Sequence, residues 1–271
     1  MSTKSTPLEQ PVPGAEEERV AETPLEALSS ICTVLVIGLF ILTFLGQNMV
    51  IPSGSMKKTL LVGDHLLVDR ITLAPSAQWM PLVHYREPQR NDVVVFFKPV
   101  SDATGEYSFL VKRLIGVPGD RIHLRNGIAI INGVAQEQPH AEPTTRENHT
   151  EFMDEFPSVP PTATPGDPGL GTPEAWAIDF PNHIQNQDLV VPPGMYFMMG
   201  DNRHSSLDSR YWGFVPRENI VGRPLFNYWS FKTPDDQMYK TSLGDRLAWM
   251  GHVALHFFTE TRWTRTFHLV R

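Results

Sequence analysis

Two features of the chain predict its fold class: a run of 19 uncharged residues near the start, and after it a series of short apolar runs punctuated by Asn-Gly and Pro-Gly pairs. Together they predict one N-terminal transmembrane helix followed by a mostly β domain, built from coiled antiparallel sheets or a partly closed barrel. The expected organisation is an acidic tail over 1–26, an anchor over 27–47 and a β-rich domain over 48–135 and 191–234. A proline- and acid-rich insertion over 136–190 interrupts that domain, and an amphipathic segment over 235–271 follows it.

The uncharged run, Ala27 to Leu45, approaches the ~20 helical residues that cross a ~30 Å hydrocarbon core. A cleaved export signal would want a basic start and a small-residue cleavage site. Here Glu16, Glu17 and Glu18 precede the run and Gln47-Asn48-Met49 follow it, so a permanent anchor is the better reading. Flanking charge does not set the orientation: Arg19 lies on one side and Lys57, Lys58 and Arg70 on the other, opposite to what the positive-inside rule would want for an exported domain. Cys32, the single cysteine, lies inside this run, which excludes an intrachain disulfide and leaves the domain to be held by its core.

Beyond the anchor, Leu66 to Val68, Val93 to Phe97, Phe109 to Val117 and Met195 to Met199 have strand length. Arg121 to Arg125 and Ile128 to Ile131 flank Asn126-Gly127, the pair preferred where both turn residues need positive φ, and a second Asn-Gly stands at 132–133. Pro118-Gly119 and Pro193-Gly194 mark further turns. The stretch 136–190 holds nine prolines and few apolar clusters and is expected to loop out between strands, pinned by Phe152, Phe156 and Trp176. Leu247 to Phe258 is apolar but only 12 residues long, too short to span a bilayer. Its His252 and His256 have the spacing of zinc ligands on a helix, yet with no HExxH glutamate and no third ligand in view a metal is not expected there.

Charge is unevenly spread. Residues 1–26 carry two basic and six acidic groups and residues 136–190 one basic and ten acidic, so the overall −7 leaves +6 for the remainder. A mildly basic body suits an anionic lipid surface, but +6 so dispersed is no nucleic-acid footprint.

Chemistry enters with Pro52-Ser53-Gly54-Ser55-Met56, shortly after the apolar run, and a lysine far downstream at Lys112. A serine hydroxyl becomes a useful nucleophile only when a base takes its proton. Lys58 competes for that role because Ser55 to Lys58 spells SxxK, but the SDN and KTG strings that accompany such a serine are absent. In the other candidate run, period-two alternation puts Lys112 on one face with Leu110 and Leu114 and sends Arg113 to the opposite face. Such a lysine must fall from ~10.4 to ~7 or 8 to serve as a base, which desolvation can supply. The plain alternatives are a snorkelling Lys112 with its ammonium in water, and Ser55 as a turn cap.

Pro52 to Met56, Val111 to Asp120 and Gly200-Asp201-Asn202-Arg203-His204-Ser205-Ser206-Leu207-Asp208-Ser209-Arg210, extending to Pro216, together resemble the sequence boxes of bacterial type I signal peptidases. Asn91 to Phe96 resembles a further box, all in the family's order behind an anchor placed as in its members. The resemblance implies a serine endopeptidase of the plasma membrane, single-pass, with its catalytic domain on the extracytoplasmic side, no metal and no cofactor. It makes Ser55 the nucleophile and Lys112 the general base, with Ser53 joining the Ser55 N–H in the oxyanion hole. Ser206 corresponds to the serine that orients the lysine amine, Asp208 and Arg210 to a pair that braces its loop, and Asp201 with Arg113 to a second supporting pair.

The implied partners are exported preproteins, lying extended beside Leu110 and Val111 with shallow pockets, Met56 included, that admit alanine-sized side chains; membrane lipid is the other partner. Ten residues from Leu45 to Ser55 reach at most ~33–36 Å, which keeps the nucleophile near the membrane surface. Two departures stand out. Lys58 replaces the family's usual proline, which would loosen the turn after the nucleophile, and His204-Ser205 replace an acidic residue and asparagine, placing a titratable imidazole by the site. The rival from another class is a catalytically silent, membrane-tethered β-domain serving as an adaptor in export.

Overall fold

A computed structural model describes residues 23–40, 46–75, 85–99, 108–160 and 173–270. It divides into two units, Met1–Phe40 and Ile41–Arg271. In the first, helix α1 runs Pro24–Phe40 over 17 residues. It begins on a reciprocal capping box, in which Glu26 N–H donates to Thr23 Oγ1 and Thr23 N–H to the Glu26 carboxylate, with Pro24 at the first helical position. Residues 41–45 of the expected anchor, and nearly all of the acidic tail, lie outside the described residues. Among the described residues no helix is long and apolar enough to cross a membrane.

The second unit is mostly β and wholly antiparallel in its described strand pairs. In chain order its elements are β1 (Gly46–Val50), β2 (Asp64–Asp69), β3 (Val93–Phe97), β4 (Phe109–Gly116), β5 (Arg121–Arg125), β6 (Ile128–Ile131) and β7 (Val134–Ala135). Then follow α2 (Glu151–Asp154), α3 (Glu174–Asp179), β8 (Ile184–Gln185), β9 (Asp188–Val190), β10 (Met195–Met199), α4 (Ser209–Trp212), β11 (Val215–Pro216), β12 (Ile220–Ser230), α5 (Leu243–Glu260) and β13 (His268–Leu269). One sheet has the order β1-β2-β12-β3-β4-β10-β11, with β13 also on β12; the other has the order β7-β6-β5-β9-β8.

Local sequence accounts for the turns. Asn126 and Gly127 have φ of 50° and 73°, Asn132 and Gly133 of 53° and 81°, so both Asn-Gly pairs make the positive-φ turns that close β5–β6 and β6–β7. Strand alternation splits β10 between two cores: Phe197 and Met199 join Ile122, Phe156 and Trp176, while Tyr196 and Met198 join Val94, Phe96 and Trp212. A third cluster gathers Ile51, Met56, Leu60, Leu66 and Val93, with Val111 and Val270 packed against it.

Three expected boundaries need correction. Gly46 and Gln47 belong to β1, paired with Asp69 and Val68, so the β domain begins inside the segment assigned to the anchor. The stretch 136–190 does not merely loop out: its β8 and β9 complete the second sheet, and Phe156, Trp176 and Phe180 are buried in the first core. Phe156 and Trp176 are two of the three residues expected to pin the stretch, and Phe180 joins them. The segment 235–271 is likewise not wholly an amphipathic appendage, since β13 pairs Leu269 with Phe226 and His268 with Asn227 of β12.

Candidate active site

The site is built where a tight turn meets β4. Gly54–Met56 form a single 3₁₀ turn whose last side chain, Met56, is 1% exposed and anchors it in the third core. Ser55 is half-buried at the middle of that turn. Ser53 precedes it with an extended backbone and no side-chain capping bond, its side chain exposed. The turn is held from across the site: Asn202 N–H donates to Ser55 O and Asn202 Nδ2 to Gly54 O, both at 3.1 Å. Asn202 lies inside a motif that sequence reading quoted without giving that residue a task, because a backbone clamp leaves no pattern in a sequence.

Lys112 projects from β4, 3% exposed, with its Nζ 2.5 Å from Ser55 Oγ. Burial disfavours the ammonium and pushes its pKa down to about 8; Asp208 opposes the fall, Arg210 assists it and Asp201 opposes it. Snorkelling into water is therefore not its arrangement. Arg113, on the other face of the strand, makes a two-pronged ion pair with Asp201, both bonds 2.8 Å, and also donates to Asn91 O and Thr59 Oγ1.

The loop behind the amine is braced by fully buried Asp208 and Arg210, paired through Nε and Nη2 at 2.9 and 2.8 Å. Asp208 also accepts from Gly200 N–H and caps α4 by accepting from Arg210 N–H. Arg203 is buried alongside, donating to Gly200 O and Gln138 Oε1; burial, with Arg210 nearby, pushes its pKa down to about 10. Gly200 marks the closest approach: a Cβ there would lie 2.3 Å from Ser206 Oγ and 2.5 Å from Ser55 O.

Ser206 is where the expected contact and the geometry part. It is 4% exposed and beside Gly200, but its Oγ has no hydrogen-bond partner, so it does not hold the Lys112 amine in this arrangement. Lys58 takes φ of 89°, which a proline ring fixed near −65° could not adopt, and its Nζ donates to Ala141 O at 2.6 Å. The turn after the nucleophile is thus tied down rather than loosened, and the SxxK amine is engaged elsewhere. His204 Nε2 faces the Asp154 carboxylate at 3.0 and 3.1 Å, linking the loop to the 136–190 stretch rather than to the amine.

Of the residues expected to contact substrate, Met56 and Val111 meet in the third cluster, whereas Leu110 packs against the second. β4 pairs with β3 over Phe109 to Arg113 and with β10 only at Arg113, Leu114 and Gly116. Among the described residues, the second edge of 109–112 therefore has no partner strand. A cleft of about 620 Å³ bordered by Ser53, Gly54, Asn202 and Ser205 opens beside the turn. A comparable one of about 630 Å³ is lined by Lys58, His140 and Arg265, and neither cleft has Ser55 or Lys112 in its lining.

A desolvated amine on a serine hydroxyl, with no histidine between them, is an arrangement in which a lysine is able to do the work of an imidazole. A family profile described as "Signal peptidase, peptidase S26" matches residues 25–229. The signal peptidase I of Leptolyngbya laminosa is 31% identical over 84% of this chain and 91% of its own, and that of Pseudomonas fluorescens 34% identical over 80% and 77%. A solved signal peptidase I from Enterococcus faecalis, 27% identical, covers 51% of this chain and 97% of its own with a TM-score of 0.29. The chain belongs to the signal peptidase family, and it is an enzyme, a serine endopeptidase.

Proposed function

We propose that the chain removes N-terminal signal peptides from exported preproteins through a Ser55–Lys112 dyad, anchored by one helix in the plasma membrane with its β domain on the extracytoplasmic side. The observation that carries this reading is the buried Lys112 amine at 2.5 Å from Ser55 Oγ, its pKa held near 8 by desolvation. An amine in that range has a working neutral fraction near neutrality, about a tenth at pH 7 and about half at pH 8, and in that form it can accept a proton.

The neutral amine takes the Ser55 hydroxyl proton as Oγ attacks the carbonyl carbon of the scissile bond. The resulting oxyanion is met by Ser55 N–H and the Ser53 hydroxyl; donors so placed contribute about 3 kcal/mol each in a dry site. The Lys112 ammonium then gives its proton to the departing amine, releasing the mature protein and leaving the signal peptide as an ester on Ser55. Lys112 next deprotonates a water, which hydrolyses that ester and restores the dyad. Asp208–Arg210, Arg113–Asp201 and Ser206 position the parts. The unpaired edge at 109–112 suits an extended peptide added as a strand, with Met56 and Val111 flooring a shallow pocket for a small side chain.

The test is cleavage of a preprotein bearing an Ala-x-Ala site by the full chain in detergent, comparing Lys112→Ala with Lys58→Ala. Loss in the first with retention in the second is the expected result. Loss only in Lys58→Ala would transfer the base to the SxxK lysine, whose amine now rests on Ala141 O. Acylation of Ser55 by a serine-directed inhibitor in wild type alone would separate chemistry from misfolding.

A further inference from the structure

Helix α5 ends on a cluster that the proposed reaction does not use. His252, His256 and Glu260 recur every fourth residue on one face, and each offers a ligating atom within 4.8 Å of the others'. The third member is the one an HExxH search passes over, because it stands four residues after the second histidine rather than inside the pair.

Three observations make this more than adjacency. His256 Nδ1 lies 3.0 Å from the His252 carbonyl oxygen; a carbonyl only accepts, so Nδ1 carries the hydrogen and the neutral ring keeps its lone pair on Nε2. His252 Nε2 lies 3.0 Å from Glu260 Oε2, so nitrogen and carboxylate already converge. The two imidazoles stack at 4.2 Å, and His252 stacks in turn on Trp249 at 5.3 Å and meets Phe231 edge-on, which fixes its ring. Lys232 is the neighbouring cation that acts on Glu260.

We propose that His252 Nε2, His256 Nε2 and a Glu260 carboxylate oxygen form a binding site for one divalent transition-metal ion, with zinc the best-matched chemistry. Two imidazoles and a carboxylate at about 2.0–2.2 Å are a borderline-soft donor set that leaves a fourth position for water. The ion replaces the His252–Glu260 hydrogen bond; the His252 hydrogen moves to Nδ1, and a rotation of the Glu260 side chain closes the remaining gap. The site is structural. Glu260 O accepts from Lys232 N–H and Thr261 bridges to Phe231, so an ion here clamps the last two turns of α5 where the chain rejoins the β domain.

The experiment is a titration of the full chain in detergent, stripped with a chelator, with Zn²⁺ against a competing indicator, repeated with Co²⁺ for its visible absorption. The expected result is one ion per chain with sub-millimolar affinity, a four-coordinate Co²⁺ spectrum, and at least roughly tenfold weaker binding in His252→Gln and in His256→Gln. Zn²⁺ should raise the thermal midpoint of wild type but not of His256→Gln. Circular dichroism of each variant shows whether α5 still forms. No binding below millimolar Zn²⁺, or binding unchanged in both folded variants, overturns the proposal.

Discussion

Replacing Lys112 with Met keeps most of the stem and removes the amine, and the structure sets how large the effect on stability should be. Burial moves the lysine from 10.5 to about 8, which corresponds to about 3 kcal/mol against the charged folded state. Between those two values the unfolded chain still holds a proton that the folded chain has released, so wild-type stability rises with pH across the window and bears the full cost below it. The lost bond to Ser55 Oγ returns about 1 kcal/mol of that. Lys112→Met should therefore be more stable than wild type by about 2 kcal/mol at pH 7 and lose that advantage as pH approaches 10.5, while having no peptidase activity. The assay is urea unfolding of the full chain in detergent at pH 7, 8.5 and 10, read by tryptophan fluorescence. In parallel, the acid limb of wild-type kcat/KM should have a midpoint near 8. A stability difference that does not change with pH, or an acid limb near pH 5, would refute the argument from desolvation.

Gly200→Ala forces a Cβ to within 2.3 Å of Ser206 Oγ and 2.5 Å of Ser55 O, and a displacement of the nucleophile on that scale should lower kcat by about 10²-fold with the fold retained, as preprotein cleavage and circular dichroism would show. Ser206→Ala deletes a buried hydroxyl that has no partner, so the thermal midpoint should hold or rise; if that hydroxyl turns onto the amine during the reaction, kcat falls while stability does not. Asp154 accepts from Thr150 N–H, Thr144 Oγ1 and His204, and although burial alone would raise its pKa those bonds hold it below the usual carboxylate value. Asp154→Asn should cost about 1–3 kcal/mol near neutrality, and because a depressed carboxylate loses its advantage as pH falls through its folded pKa, the gap to wild type should narrow below about pH 4 in thermal melts.

Much of this fold could be read locally because its strands carry their own punctuation. The Asn-Gly pairs at 126–127 and 132–133 demand positive φ, and the apolar runs of β3, β4 and β10 match their observed bounds to within a residue. β12 escaped that reading: Gly222, Arg223, Pro224 and Asn227 interrupt its pattern, and its pairing shifts register against both neighbours. At the site, the motifs brought Ser55 and Lys112 to attention across 57 residues, and the ion pairs Arg113–Asp201 and Asp208–Arg210 stand among the same boxes. The remainder depends on distant partners. Whether Lys58 reaches Ala141 O, whether Ser206 Oγ finds an acceptor, and whether His204 meets Asp154 are decided by where the 136–190 stretch packs, through Phe156 and Trp176, and no spacing within that stretch encodes it.

The half-paired β4 strand has a consequence for handling the protein as well as for its proposed work. An edge that offers main-chain groups to one extended peptide offers them to any other, including the same edge of a second molecule. Phe109 lies on that strand, its ring centroid 4.4 Å from that of Phe97 on the paired β3 and each 37% exposed, an apolar surface that would make such self-pairing adhesive. Among the described residues four are open, and the last of them is the buried Lys112, so a homotypic pair there would be short and would cover the amine beside Ser55. Crowding in solution would then silence the molecule reversibly, and dilution or a saturating peptide would restore it.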